Sequence, residues 1–267
     1  MATLATTPPI QASGDERFFV RSAIAMAAII VIGFSFQLAM GRSTFNSPPL
    51  VHAHAVTFMG WVVIYTLQNI LVGSGNIALH RRLGWIGAVW IFGMLILGCM
   101  VTLSMVRRGG VPFFFQPQHF LIFDPLTLVG FVVLVLAAIR LRRKTDWHRR
   151  LHFCGMSLLL GPAFGRLLPM PLLVPWAYEA TFLTVMIFPA IGIWADIRRS
   201  GTIHPAWKWG VAVMVGSFVV TQAITYSAAG SAIYGLVASG SPGADIDPMA
   251  FPAPPEGPTM TENAPAN

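Results

Sequence analysis

The sequence predicts an all-α membrane protein: a bundle of seven transmembrane helices with its N-terminus inside and its C-terminus outside. Three observations support this. Of 267 residues, 55% are hydrophobic and only 10% are charged, and the mean hydropathy is +0.68. Soluble domains contain about 25% charged residues, so this chain has too few charges to cover a water-facing surface. The composition therefore excludes an ordinary soluble globular protein.

Seven apolar stretches are long enough to cross a membrane, because about 20 helical residues span about 30 Å of hydrocarbon. They cover residues 19–40, 51–73, 84–106, 120–140, 151–170, 172–197 and 207–229. Only Met170 and Pro171 separate the fifth stretch from the sixth. Pro162 and Pro189 are expected to kink these two spans, because proline removes a backbone donor and clashes with the preceding turn.

The segments outside the spans have a different composition. Residues 1–18 are expected to form a cytoplasmic N-terminal segment and residues 19–229 the transmembrane domain. Residues 230–267, which are rich in proline, glycine and acidic residues, are predicted to be a disordered tail. Asp15 and Glu16 precede the first span where a secretory signal carries positive charge, so this span is interpreted as a retained helix.

The basic residues predict the orientation of the bundle. With a cytoplasmic N-terminus, thirteen of the 17 lysines and arginines lie inside, and the other four, Arg42, Arg107, Arg108 and Arg166, lie outside. This asymmetry follows the positive-inside rule and requires an odd number of spans. The net charge of +7 is therefore interpreted as a topology signal rather than a nucleic-acid-binding surface. It predicts the bacterial inner membrane, with the lipid bilayer as the main partner.

Ionisable side chains beside the spans are costly in a membrane and therefore mark candidate functional positions. In the outer half, Asp124, Arg166 and Glu179 are interpreted as a charge cluster that either fixes helix packing or forms a binding or proton-handling site. The carboxylates of Asp124 and Glu179 are the available partners for the Arg166 side chain.

The second span carries a polar stripe. Trp61, Tyr65 and Gln68 follow His54 at intervals that place them on one helix face, and this stripe is expected to point into the bundle. On the seventh span, the polar face consists of Gln222, Thr225 and Tyr226 only.

Three motifs resemble signatures of a set of bacterial multi-pass membrane proteins whose activity is not established. They read HAHAVTFMGWVVIYTLQNILVGSGNIALHRRLGWIG, WHRRLHF with a Gly-Arg pair downstream, and GTIHPAW. The resemblance covers about residues 45–215 and implies the membrane fold without an activity. It singles out His54 or His52, His80, Asp124, His148, Arg166 and His204.

The histidine arrangement is also similar to that of di-haem b-type transmembrane electron-transfer cytochromes, in which histidines on alternate helices hold one haem near each membrane face. Here His54 and His119 would hold an outer haem iron, and His80 and His152 an inner one. The similarity implies haem b binding and transmembrane electron transfer, with a redox partner or another membrane subunit. Whether the protein is an enzyme stays open.

Other functions also remain open. The protein could be a non-catalytic membrane assembly factor or sensor, or a small-solute transporter that uses the outer charge cluster. An outer zinc site from His54 and His119 with Asp124 or Glu179 is allowed by ligand type. A retinal protein is excluded, because the seventh span has only Lys208, at its start rather than at its centre.

Overall fold

The computed structural model describes residues 14–254, and this part of the chain is all-α, with no β-strand. Its α-helices, numbered α1 to α9 in chain order, are Gly14–Ala39, Pro49–Gly73, Ile77–Arg107, Pro117–Arg140, Thr145–Leu158, Gly161–Leu167, Ala177–Ser200, Pro205–Thr225 and Ala228–Ala238. Short 3₁₀ turns at Met170–Leu173 and Pro242–Asp245 follow α6 and α9. The all-α class predicted from composition is confirmed.

Within residues 14–254, six helices are long and apolar enough to cross a membrane: α1, α2, α3, α4, α7 and α8. Their outward faces carry large apolar side chains that nothing else within residues 14–254 covers. Val56, Val89 and Leu183, for example, are 69%, 73% and 66% exposed. Contiguous apolar surface of this kind marks a membrane or protein contact, and together with the helix lengths it supports a multi-pass membrane protein.

The fifth predicted span is built from two shorter helices, so it is not among the six. α5 and α6 are separated at Leu159 and Leu160, where the Leu160 N–H donates to the Ser157 carbonyl at 3.0 Å in an i to i+3 turn. Pro162 explains the break, because its ring clashes with the carbonyl four residues earlier and has no N–H to donate. Pro189, in contrast, lies inside the continuous helix α7.

The core is packed around large aromatic side chains. The Phe131 ring lies edge-on to Trp61 with centroids 5.2 Å apart, and the Phe153 ring lies edge-on to Trp207, also at 5.2 Å. Phe131, Phe153 and Trp207 are at most 1% exposed. Gly192 leaves room for the Trp207 ring, because a Cβ there would overlap the indole. These contacts fix α8 against α5 and α7.

Two ends of the bundle are distinguished by their side chains. The basic end comprises the starts of α1, α5 and α8 and the end of α7, with Arg149, Arg150 and Arg199 in contact with acidic residues. The aromatic end comprises the starts of α4 and α7 and the end of α8, where His119 contacts the Tyr178 and Tyr226 rings.

The structure differs from the prediction of a disordered tail beginning at residue 230. Residues 228–254 fold back over the aromatic end: the Gln118 N–H donates to the Pro248 carbonyl at 2.9 Å, and the Gln116 amide donates to the Met249 carbonyl at 2.6 Å. The helical segment AAGSAIYGLVA is apolar, and proline, glycine and acidic residues follow it. Residues 1–13 and 255–267 lie outside the described part of the chain.

Gly230 should be essential for the docking of α9. A Cβ at this position would lie 2.9 Å from the Thr225 carbonyl oxygen and would overlap that of Ile224. We expect Gly230→Ala to lower the melting temperature of the purified protein despite alanine's higher helix propensity. The control is Gly235→Ala on the same helix, where the Cβ position is open. It should keep or raise the melting temperature, and equal behaviour of the two variants would disprove the docking contact.

Candidate functional site

A buried carboxylate, Asp196 near the end of α7, organises the basic end. Its two oxygens accept hydrogen bonds from Arg150 Nε and Nη2, both at 2.8 Å, and from Trp207 Nε1 at 2.7 Å. Arg199 Nη2 donates at 3.0 Å. Asp196 is 2% exposed and Arg150 is 6% exposed. Charges can be buried this deeply only when paired and fully hydrogen-bonded, as here.

The same network extends to the first helix. Asp15, in the first turn of α1, pairs with Arg199 at 2.9 Å and with Arg149. Arg149 also pairs with Asp146, and the Arg199 guanidinium lies 4.9 Å from the centre of the Phe18 ring. The network therefore ties the starts of α1, α5 and α8 to the end of α7. We refer to these residues with Asp196, Arg150 and Trp207 as the ionic clasp.

Three histidines lie together in the half of the bundle nearest the basic end. His80, near the start of α3, and His148, in α5, have ring centroids 6.2 Å apart, and His148 is 4.7 Å from His152. His148 Nδ1 lies 2.8 Å from the Ala138 carbonyl, to which it can donate, so its Nε2 lone pair is free. His80 Nδ1 is buried without a hydrogen-bond partner. We call these three residues the histidine cluster.

The surroundings of the histidine cluster combine positive charge with the polar stripe of α2. Arg81 acts electrostatically on His80, and Arg142 acts on His148. Next to them, Gln68 is half-buried and its Oε1 has no hydrogen-bond partner. Tyr65, one turn earlier, is only 4% exposed. Anionic groups could therefore be neutralised beside a largely buried imidazole pair.

Trp61 completes the stripe, and it is buried at 3% exposure. The stripe of α2 thus lies inside the bundle. His204 lies apart from the histidine cluster, because it caps α8 by accepting from the Ala206 N–H at 3.1 Å. Partial burial lowers the pKa of His204, which favours the neutral ring that can accept this bond.

The structure does not bring the predicted outer histidine pair together. His54 stacks on Phe58 with ring centroids 4.1 Å apart, whereas His119 packs against Tyr178 at 4.6 Å and Phe123 at 5.5 Å. Between residues 14 and 254, no hydrogen bond or ring contact joins His54 to His119. In the same described part, no ring contact joins the predicted inner pair, His80 and His152, directly. The ring of His148, which was not among the predicted haem ligands, contacts both.

The predicted charge cluster is divided in two. The Asp124 carboxylate accepts from Thr102 Oγ1 and lies close enough to Arg166 for electrostatic attraction, without an ion pair. The Arg166 guanidinium lies 4.0 Å from the centre of the Phe34 ring and donates to the Pro162 carbonyl at 2.8 Å. The third member, Glu179, makes its hydrogen bond elsewhere.

Glu179 belongs to a group of polar side chains at the aromatic end. Its Oε1 accepts from Gln222 Nε2 at 2.8 Å. Six polar side chains gather in this region: Gln118, His119, Glu179, Thr221, Gln222 and Thr225. His119 interacts with Gln222, and Thr221 with Tyr178, whereas Gln118 Oε1, Glu179 Oε2 and Thr225 Oγ1 are buried without a hydrogen-bond partner. We call these six residues the polar cluster. The sequence singled out Gln222 and Thr225 as a polar face and His119 and Glu179 for other groupings, but it did not unite them, because α4, α7 and α8 meet through tertiary packing.

Across residues 14–254, no group of three or more His, Cys, Asp or Glu side chains is placed to hold a metal ion. The outer zinc site from His54 and His119 is therefore not assembled in this part of the chain. A metal site with only two imidazole ligands does not require three such side chains. Neither does a metal site built from uncharged oxygen atoms.

Comparison with known proteins identified no relative of this chain. No protein-family model, no curated protein and no solved structure matches the chain. The function is therefore inferred from the geometry of the histidine cluster and the polar cluster.

Proposed function

We propose that the protein crosses the bacterial inner membrane seven times, with α5 and α6 together forming the fifth span. The start of α5 lies beside the start of α1, where Arg149 pairs with Asp15. The end of α6 lies beside the end of α1, where Gln37 Nε2 donates to the Arg166 carbonyl at 3.3 Å. α1 has 26 residues and is itself a candidate span, about 39 Å long at about 1.5 Å per residue. Contacts at both ends of α1 therefore support one full crossing by α5 and α6.

The basic end is the cytoplasmic end in this proposal, which places the N-terminus inside. Lysines and arginines favour cytoplasmic positions, and thirteen of 17 fall on this side when seven spans are counted. The aromatic end, with Tyr178 and Tyr226, would then lie at the outer interface, where amphipathic rings are favoured.

We further propose that the histidine cluster binds one haem b, whose iron His80 and His148 would hold. The observation that carries this proposal is the 6.2 Å separation of their ring centroids. A separation of roughly 6 Å leaves room for one metal ion between the two rings, because each metal–nitrogen bond is about 2 Å long. A histidine that binds a metal normally donates its other ring N–H to a carbonyl or carboxylate, which fixes the ring orientation. His148 Nδ1 makes such a contact with the Ala138 carbonyl.

The surrounding side chains suit such a group. Arg81 and Arg142, which act electrostatically on His80 and His148, would neutralise its propionates. His152 packs against the ring of His148 and restricts its orientation. Bound haem would supply one-electron redox chemistry near the cytoplasmic face. Because the outer pair is not assembled, electron transfer across the whole membrane would require a partner at the other face.

The absorption spectrum of the purified protein tests this proposal. Protein produced with sufficient haem should show a Soret band that shifts on reduction with dithionite. His80→Ala and His148→Ala should each lose at least most of this band. The control is His52→Ala, because His52 is exposed and contacts the Phe45 carbonyl at 3.1 Å. It should keep the wild-type spectrum.

The proposal fails if the wild-type protein is colourless after production with sufficient haem. It also fails if both variants keep the full band. Size-exclusion profiles of the variants establish that they remain folded. His152→Ala should retain the band with an altered position, because this residue orients a ligand in the proposal and does not bind the iron.

A further inference from the structure

We propose that the polar cluster at the aromatic end is a binding site for an alkali-metal cation. Buried polar groups almost always have hydrogen-bond partners, yet three oxygens of this cluster, Gln118 Oε1, Glu179 Oε2 and Thr225 Oγ1, have none. Gln118 and Thr221 are 1% exposed and Thr225 is fully buried. Bulk water therefore cannot satisfy these atoms, and a bound species between them would.

The unpartnered amide atoms are acceptors, because the donors are already used. Gln118 Nε2 donates to the Thr225 carbonyl at 2.5 Å, and Gln222 Nε2 donates to Glu179 Oε1 at 2.8 Å. The Gln118 amide is thereby held with its oxygen unpaired, whereas Gln222 also interacts with His119. A site built mainly from oxygen acceptors selects a cation or a strong hydrogen-bond donor rather than an anion.

The cluster is assembled from three helices. Thr221 and Thr225 are one turn apart on α8, and Gln222 lies beside them on the same side of the helix. Tyr178 of α7 fills the space between these residues and α4, because its ring contacts His119 at 4.6 Å and Phe218 at 5.3 Å. Hydrogen bonds join these helices in pairs, because Gln118 of α4 donates to Thr225 of α8 and Gln222 of α8 donates to Glu179 of α7.

The charge of the cluster favours a monovalent ion. Glu179 is its single carboxylate and forms no ion pair with another residue between positions 14 and 254. The end of α8 adds the negative pole of a helix dipole, which offsets the positive poles at the starts of α4 and α7. Hard cations prefer oxygen ligands, and one carboxylate balances one positive charge. Sodium and potassium ions match this donor set.

Thermal unfolding of the full-length protein in sodium, potassium and choline chloride at equal ionic strength tests the site. Sodium or potassium should raise the melting temperature by several degrees relative to choline, and the increase should saturate with concentration. Glu179→Gln and Thr225→Val should each abolish this difference. Asp245→Asn should preserve it, because Asp245 is exposed near the same end of the bundle.

Sodium-23 relaxation measures binding without unfolding the protein, and the wild-type protein should broaden the sodium line more than Thr225→Val does. The inference is overturned if the three salts give the same melting temperature. It is also overturned if the cation effect persists in Thr225→Val, which removes one hydroxyl and leaves the carboxylate in place. The valine variant therefore decides the question even if Glu179→Gln does not fold.

Discussion

Asp196→Ala is expected to reduce the free energy of unfolding by about 3–5 kcal/mol, because removing one partner of a buried ion pair leaves the other charge uncompensated. The stranded group would be the guanidinium of Arg150, which is 6% exposed. Trp207 Nε1 would lose its acceptor in the same change. Unfolding of the purified protein in detergent, followed by circular dichroism, measures the effect.

The chain provides a matched control for this variant. Asp146 also pairs with Arg150, at 3.4 Å, but its side chain is 56% exposed. Exposed ion pairs contribute about 0–1 kcal/mol, so Asp146→Ala should have a small effect. Equal losses from the two variants would contradict a buried clasp.

The double variant Asp196→Ala with Arg150→Met separates the cost of a stranded charge from the value of the pair. Replacing both members of a buried ion pair by apolar groups is often neutral or stabilising. We therefore expect the double variant to be more stable than Asp196→Ala alone. A double variant that is less stable than the single one would mean that the pair itself provides most of the stability.

Gly33→Leu is the second change expected to have a large effect. Gly33 of α1 faces the backbone of α6: a Cβ there would lie 2.9 Å from the Ala163 carbonyl oxygen and 3.3 Å from its Cα. Backbone atoms cannot rotate away, so a leucine should push α6 from α1. Overpacking of this kind costs about 1–3 kcal/mol and sometimes more. Thermal stability and the size-exclusion profile of the purified variant measure the result.

Gly93→Leu serves as the control, because Gly93 is also a helical glycine but has open space where a Cβ would lie. It should preserve both the profile and the melting temperature. If Gly33→Leu behaves in the same way, α6 does not pack closely on α1. The main support for a fifth crossing by α5 and α6 would then be lost.

Much of the fold was predictable because a bilayer allows few solutions. Long apolar runs must form helices there, and the predicted second span at 51–73 agrees closely with Pro49–Gly73. Proline at 162 indicated a kink but not two helices. Most of α9 was counted with the predicted tail at 230–267, although the proline, glycine and acidic residues on which that prediction rests mainly follow the helix.

The sites were less predictable, because they depend on contacts between distant helices. His148 and His152 lie four residues apart, a spacing that places them on one helix face, but nothing local showed that His80 lies beside them. Asp196 was missed, because only the basic residues around it entered the topology argument. An acidic residue within a membrane helix needs a cationic partner, and that signal could have identified it.

The structure also separates residues that the sequence pattern had grouped together. The alternation of histidines along the sequence indicated two haem sites, whereas the side chains of His54 and His119 have different neighbours. Glu179 likewise interacts with Gln222 and not with Arg166. Periodicity along one helix cannot show which residues of another helix it faces, so these groupings required the tertiary structure.

The ratio of haem to protein in the purified wild-type chain tests the central proposal most directly. Haem is measured as the pyridine complex and protein by amino-acid analysis. One haem per chain, reduced to near zero in His80→Ala and His148→Ala, is the predicted result. A wild-type ratio near zero after production with sufficient haem would contradict the proposed site. A ratio of one that both variants retain would place the haem elsewhere and would contradict it equally.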